Sequence, residues 1–253
     1  MKKKLIISGI IIVLIIVATI LYSHFIGTKG LIINEYQVVN EKVPESFNGL
    51  KIVHFSDMFY GTTFNEKDLN KLVKKINEYN PDIVVFTGNL VSNNDIKSEK
   101  VIASLNKIEA KLGCFYVSGN KDNEKSSMIL NKTNFINLDN TNKLIYYKGN
   151  EPINLIGYGK DVLNEYDYYT ILFTHNPENS KKLNSNLVLA GKTMGGLIRL
   201  PINKDIFGDN NYKTNYIKEK NKEIYISYGL GTNEFEFRLF NHPSINVYRL
   251  YNN

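Results

Sequence analysis

From Leu5 to Ile26 the chain runs for 22 residues without Asp, Glu, Lys or Arg. As a helix such a segment spans ~33 Å at ~1.5 Å per residue, enough to cross a hydrocarbon core of ~30 Å. A cleaved secretory signal is the competing reading, but its apolar region is shorter, ~7–15 residues, and ends on a small-x-small site. Leu21-Tyr22-Ser23-His24-Phe25 supplies no such site, and no cysteine follows the run as a lipoprotein would require. An uncleaved single-pass anchor is expected. Lys2, Lys3 and Lys4 precede it with no comparable basic cluster immediately after, which orients the N-terminus to the cytoplasm. The expected organisation is then a basic start at 1–4, the span at 5–26, a linker with an entry strand at 27–46 and one extracytoplasmic domain at 47–253. Gly27-Thr28-Lys29-Gly30 reads as the hinge between membrane and domain.

Charge excludes one class of partner. The 253 residues carry 31 Lys and Arg against 25 Asp and Glu, a net charge of +6. Three of those charges are the N-terminal lysines, and the only arginines are Arg199, Arg238 and Arg249. Readers of DNA sequence lean on arginine for bidentate base contacts, so no nucleic-acid partner is expected. With 43% hydrophobic and 22% charged residues the chain is not disordered. The lone Cys114 rules out an internal disulfide and a cysteine-ligated zinc site. It begins a strand and reads as an inert buried thiol.

Strands and helices alternate beyond residue 50. Leu50–Ser56, Asp82–Thr87 and Cys114–Ser118 read as buried strands. Asn65–Tyr79 places Leu69, Leu72, Val73 and Ile76 at helical spacing. Ser98–Leu112 reads as a second helix, with Ser98 as N-cap and Gly113 as the stop. Later strands are expected at Ile153–Tyr158, Thr170–Thr174, Leu187–Ala190, Glu223–Tyr228 and Ile245–Tyr251. The pattern predicts an α/β layered fold, parallel early and mixed late. Sites in such sheets form where strands end, and five short segments stand there: Ser56-Asp57-Met58-Phe59, Thr87-Gly88-Asn89-Leu90, Ser118-Gly119-Asn120-Lys121-Asp122, Phe173-Thr174-His175-Asn176-Pro177 and Ala190-Gly191-Lys192-Thr193-Met194-Gly195-Gly196.

In order and spacing these segments resemble the calcineurin-like metallophosphoesterases, and within them a membrane-associated bacterial subgroup acting on phosphoesters at the cell surface or on lipids. The resemblance runs from Phe47-Asn48-Gly49-Leu50 to the end. It takes in Gly195-Gly196-Leu197-Ile198-Arg199-Leu200-Pro201 and the tail from Tyr228 through Arg238 to Pro243. It implies a β-sandwich of mixed sheets flanked by helices, behind one N-terminal transmembrane helix. It also implies two divalent cations held by Asp-x-His, Gly-Asp, Gly-Asn-His-Asp/Glu, a lone His and Gly-His-x-His, which activate a bridging water.

Carried over by position, Asp57 is kept but its partner histidine is Phe59. The bridging aspartate is Asn89. Asn120, Asp122 and His175 are kept, while Lys121 replaces the histidine between the first two. Lys192 and Met194 replace both histidines of the last motif. Phe59 has no donor, a lysine ammonium has no lone pair, and a thioether is mismatched to hard cations. Disturbing an outer-shell partner alone costs about 10–100-fold, so three lost donors should cost at least ~10³–10⁶.

The expectation is therefore a pseudoenzyme with no metal and no catalytic residue, a binding or regulatory module. The alternative is an active phosphoesterase with one divalent ion on Asp57, Asn89, Asn120 and His175. The ammonium of Lys192, or of Lys121, is expected to replace the lost metal charge beside Asp57, with Phe59 and Met194 filling space. Both lysines are also candidates for binding a phosphate or carboxylate ligand, with a protein partner as the other prospect. Arg199 would contact such an anion or pair with a carboxylate to hold its loop. Tyr146-Tyr147 and Tyr166 to Tyr169 are candidates for an aromatic contact patch, or equally for a packed turn.

Overall fold

In a computed structural model of the chain, the described residues are 2–92, 95–159, 162, 167–199, 212, 214–233 and 235–253. The apolar run forms α1 (Lys2–Phe25), long and apolar enough to cross a membrane. Two of its hydroxyls are bonded within the helix, Thr19 Oγ1 to Ile15 O at 2.8 Å and Ser23 Oγ to Thr19 O at 2.7 Å. There follow β1 (Ile32–Val39), β2 (Lys51–Phe55), α2 (Glu66–Glu78), β3 (Ile83–Phe86), α3 (Ser98–Leu105), β4 (Gly113–Tyr116), α4 (Glu124–Leu130) and β5 (Phe135–Asn137). The second half contributes β6 (Thr141–Ile145), β7 (Ile153–Gly157), β8 (Thr170–Thr174), β9 (Leu187–Ala190), β10 (Tyr216–Glu219), β11 (Lys222–Ile226) and β12 (Ser244–Tyr251).

The strands make two mixed sheets of six, ordered β1-β12-β2-β3-β4-β5 and β10-β11-β9-β8-β7-β6. In the first, β2 to β5 run parallel and β12 is antiparallel to β2. In the second, β7, β8, β9 and β11 run parallel between antiparallel edges. The continuous apolar run of β3, Ile83-Val84-Val85-Phe86, suits a parallel strand buried on both faces. Ile52, Val85 and Phe115 of the first sheet share one core with Leu155, Ile171, Phe173 and Leu189 of the second. The opposite face of the first sheet, with Val53, Val84 and Cys114, packs on Leu69, Leu72 and Ile76 of α2, Val101 of α3 and Ile129 of α4.

The helix at Asn65 starts as its sequence predicts, with a capping box in which Asn65 and Asp68 satisfy each other's backbone N–H groups. The next helix is a correction. α3 ends at Leu105 rather than Leu112, and Lys97, not Ser98, occupies the cap position. Asn106 terminates it because its side chain turns to the loop after α4, accepting from Asn134 N at 2.8 Å and donating to Lys132 O at 3.3 Å. Ile108 stays buried in the following turn, which is why its spacing mimicked another helical turn.

The Gly27–Gly30 segment is not a free hinge. Arg238 N donates to Ser23 O at 3.0 Å, and a Cβ on Gly27 would lie 1.8 Å from Arg238 O. Lys29 Nζ lies 3.2 Å from Asp68, and Lys29 O lies 3.0 Å from His242 Nδ1. Together these contacts seat the end of α1 on the domain.

Candidate functional site

The loops after β2, β3, β4, β8 and β9 meet at one end of the sandwich. The backbones carrying Asn89 and Asn120 touch directly: a Cβ on Gly88 would fall 2.2 Å from Gly119 N, and one on Gly119 would fall 2.4 Å from Asn89 Oδ1. Glycine is required at both positions by this approach. Asp122 sews the two loops together, its carboxylate accepting from Asn89 N at 2.8 Å, Leu90 N at 2.7 Å and Gly119 N at 2.7 Å.

Asp57 is fully buried and its carboxylate is surrounded by donors. Oδ1 accepts from Asn89 Nδ2 at 2.8 Å, and Oδ2 from Ser56 Oγ at 2.5 Å and Lys192 N at 3.2 Å. The Asn89 amide has only one workable orientation. Its Oδ1 accepts from Lys121 N at 2.9 Å, so its Nδ2 must face Asp57 and also His175 Nε2, 3.1 Å away. His175 Nδ1 faces Thr87 O at 2.7 Å and must carry the proton there, since a carbonyl only accepts. Nε2 faces both the Asn89 amide and, at 2.9 Å, Asn120 Oδ1.

The backbone here is held in a conformation most side chains avoid. Asp57, Phe59, Asn89, Lys192 and Met194 have φ of 49°, 40°, 62°, 65° and 51°. A left-handed non-glycine residue costs roughly 1–2 kcal/mol. Five such residues cluster on three converging loops, and strain of this kind concentrates at functional sites. Phe59 and Met194 are buried at 2% and 7% exposure. Met194 packs beside Asp57 over Gly229, where a Cβ would fall 2.9 Å from Asp57 Cβ and 3.1 Å from Met194 Cγ.

The buried cation of this region is not one of the expected lysines. Lys192 and Lys121 are exposed, and Lys192 meets Asp57 with its backbone N–H and no ion pair. The buried cation is Arg238, entirely shielded from solvent. Burial pushes its guanidinium down to about 10, against the opposing pull of Asp57. Its nitrogens reach Gly231 O at 2.6 Å, Tyr228 O at 2.8 Å and Met194 Sδ at 3.6 Å. Gly231 N in turn donates to Asp57 O at 2.8 Å. The sequence reading included Arg238 only in the tail of the resemblance; no motif spacing links it to residue 57.

Arg199 pairs with no carboxylate among the described residues. It bonds the Tyr228 hydroxyl, with its guanidinium 4.8 Å from that ring's centre. Tyr169 is buried and Tyr147 packs its ring 5.8 Å from Phe47, so both serve the core, while their neighbours Tyr146 and Tyr168 are exposed. Leu200, Pro201 and Tyr166 lie outside the described residues. Beside His175 a cavity of about 270 Å³ is lined by Ser118, Asn120, Asp139, Tyr158, Asn179 and Lys192 among others. Asp139 and Tyr158 do not stand in any of the motif segments. Asp139 accepts from Ser118 N at 2.8 Å and Oγ at 2.5 Å, tying the β5–β6 connection to the cavity wall.

The calcineurin-like phosphoesterase family matches residues 50–245. An uncharacterised metallophosphoesterase of Bacillus subtilis, YkuE, is 27% identical over 90% of this chain and 88% of its own. Another of Aquifex aeolicus is 30% identical over 88% of this chain and 93% of its own. A transmembrane protein with a metallophosphoesterase domain from Bos taurus is 26% identical over 66% of this chain, which spans only 45% of that relative.

Proposed function

The chain belongs to the calcineurin-like phosphoesterase family, and from that premise we propose a membrane-anchored member that binds a ligand at the inherited site without hydrolysing it. The observation that carries this is the Asn89 amide. Where the family bridges two cations with a carboxylate, this chain turns an N–H toward Asp57 and His175 and occupies their lone pairs. Asp122 is engaged with three backbone N–H groups, and Phe59, Lys192 and Met194 offer no oxygen or imidazole. Such a donor set does not fit a two-metal centre. The protein is a pseudoenzyme acting as a binding or regulatory module. The adjoining polar cavity takes a small anionic group, a phosphate or carboxylate, drawn by Lys192 and Lys121. The single apolar helix and the lysines before it support a placement of the domain outside the cell membrane.

One contact favours the second reading. Asn120 Oδ1 and Asn89 Nδ2 lie 2.9 and 3.1 Å from His175 Nε2, so side chains from three of the motif loops still converge on one point beside Asp57. A single divalent ion held by Asp57, Asn89, Asn120 and His175 would act as a Lewis acid in a phosphoesterase.

The two readings separate on the full-length protein in detergent, assayed for bound Mn, Fe and Zn and for hydrolysis of phosphomono- and diesters with added metal. Absence of stoichiometric metal and of turnover is expected. Stoichiometric metal with turnover abolished by His175→Ala would end the pseudoenzyme reading. Reverting Phe59→His, Asn89→Asp, Lys121→His, Lys192→His and Met194→His together is expected to restore metal binding on the same scaffold.

A further inference from the structure

We infer that the last turns of α1 and the segment Phe235–Phe240 form one lipid-facing surface, and that this segment sits among the acyl chains of the leaflet on the domain's side. The inference rests on the reading of α1 as a membrane span and extends it to the folded domain. Phe25, Ile26, Phe235 and Phe240 expose 65%, 56%, 61% and 56% of their surface, and all four lie where α1 meets the domain. Single exposed apolar residues need no explanation, but a contiguous set marks an interaction surface.

Between the helix and the segment lies a groove of about 570 Å³, walled by Thr19, Ile20 and Ser23 on one side and Ile198, Phe235, Phe237 and Leu239 on the other. Its occupant follows from depth. At ~1.5 Å per residue, Thr19 lies ~10 Å inside the span from Ile26, within a leaflet of ~15 Å. The helix wall of the groove is therefore at acyl-chain level, and so is whatever packs against it. His24 and Glu236 are the polar members, with His24 Nδ1 2.7 Å from Glu236 O, and they mark the headgroup level. The segment cannot drift from the helix. Arg238 N is bonded to Ser23 O at 3.0 Å, and the Phe240 ring lies 6.1 Å from that of Tyr22. Because the Arg238 side chain also bonds Tyr228 O and Gly231 O, and Gly231 N donates to Asp57 O, the same residue links the membrane surface to the site.

The chain has no tryptophan, so single-tryptophan variants read each position directly. Full-length Phe235→Trp, Phe240→Trp, Ile12→Trp and Tyr146→Trp are reconstituted in phosphatidylcholine vesicles with and without acyl-chain bromination, after each is shown to keep the parental melting temperature. Emission from positions 235 and 240 is expected to fall roughly twofold with brominated lipid, as for a side chain held ~5–10 Å into the interface. Position 12 should be quenched more strongly and exposed position 146 not at all. Quenching at 12 without quenching at 235 and 240 overturns the inference and leaves the anchor standing. A blue shift at 235 and 240 without bromine quenching, the sign of a protein partner over the groove, also overturns it, as does equal quenching at 146. No quenching at 12 removes the anchor and this inference with it.

Discussion

Asn89 donates its side-chain N–H to the fully buried Asp57 carboxylate at 2.8 Å. The pair is neutral plus anionic, and it is stable without a cation between its members. Asn89→Asp converts it into two facing carboxylates while both stay buried. Like charges at this range cannot both ionise. The variant should lose about 3 kcal/mol at pH 7, seen as a fall of ~6–12 °C in melting temperature for a domain of this size. Millimolar Mn²⁺ should recover part of the loss in the variant and none in the parent. An unchanged melting temperature would show that the amide contributes nothing at that position.

Arg238 carries the positive charge that the site keeps. Three acceptors and Met194 Sδ converge on one guanidinium with no solvent access. Arg238→Met removes the charge and strands the carbonyls of Tyr228 and Gly231, and should cost about 3–5 kcal/mol. Arg238→Lys should fail nearly as badly, because a single ammonium cannot span acceptors set out for a planar fork. Thermal melts of the two variants check this, and a lysine variant as stable as the parent would contradict it.

Lys192 makes the opposite case. Its backbone N–H reaches Asp57 while its side chain is exposed, so Lys192→Met should leave the melting temperature unchanged. Its φ of 65° is the informative property. Lys192→Gly relieves a left-handed conformation at the expense of a more flexible unfolded chain, for a net gain of up to about 1 kcal/mol. A lower melting temperature for Lys192→Met would restore the ion pair expected from sequence.

The outcome at these three residues shows what sequence can reveal. The motif loops were readable because each follows a buried strand, and strands such as Thr170–Thr174 and Leu187–Ala190 announce themselves by unbroken apolar composition. Which atom of a residue does the bonding was not readable. Lys192 was singled out for its ammonium and acts through its amide, a choice made by a backbone dihedral. Arg238 lies far along the chain from Asp57, and only the β12 return brings its loop beneath the site. β1 and the edge strands β6 and β10 expose much of their surface, so their periodicity is weak. α3 was overextended because Ile108 keeps helical spacing after the helix has stopped.

Cys114 provides a direct reading of burial. Desolvation within the core pushes its thiol up to about 12, and the thiol, not the thiolate, is unreactive. Iodoacetamide at pH 8 should leave the native protein unmodified and label one equivalent in denaturant. Stoichiometric labelling under native conditions would place the β4 region far nearer solvent than its packing on α2 and α3 allows.

His54 determines how the fold responds to acid. It is fully buried on β2, with Nε2 2.8 Å from Thr87 Oγ1 and no carboxylate bonded to its ring, and burial pushes it down to about 3 from 6.5. Above pH 6.5 the ring is neutral in both states and contributes no pH dependence. Below it the unfolded chain takes up a proton that the folded chain refuses, so stability falls with pH until the folded pKa is reached. The slope approaches ~1.4 kcal/mol per pH unit, and over the interval it totals about 4–5 kcal/mol. His54→Gln keeps a polar side chain beside Thr87 without a titrating group. It should be less stable than the parent at pH 7, yet lose stability more slowly between pH 6 and pH 4. Melting temperatures across that range test the point, and parallel acid limbs in parent and variant would assign the loss to the carboxylates instead.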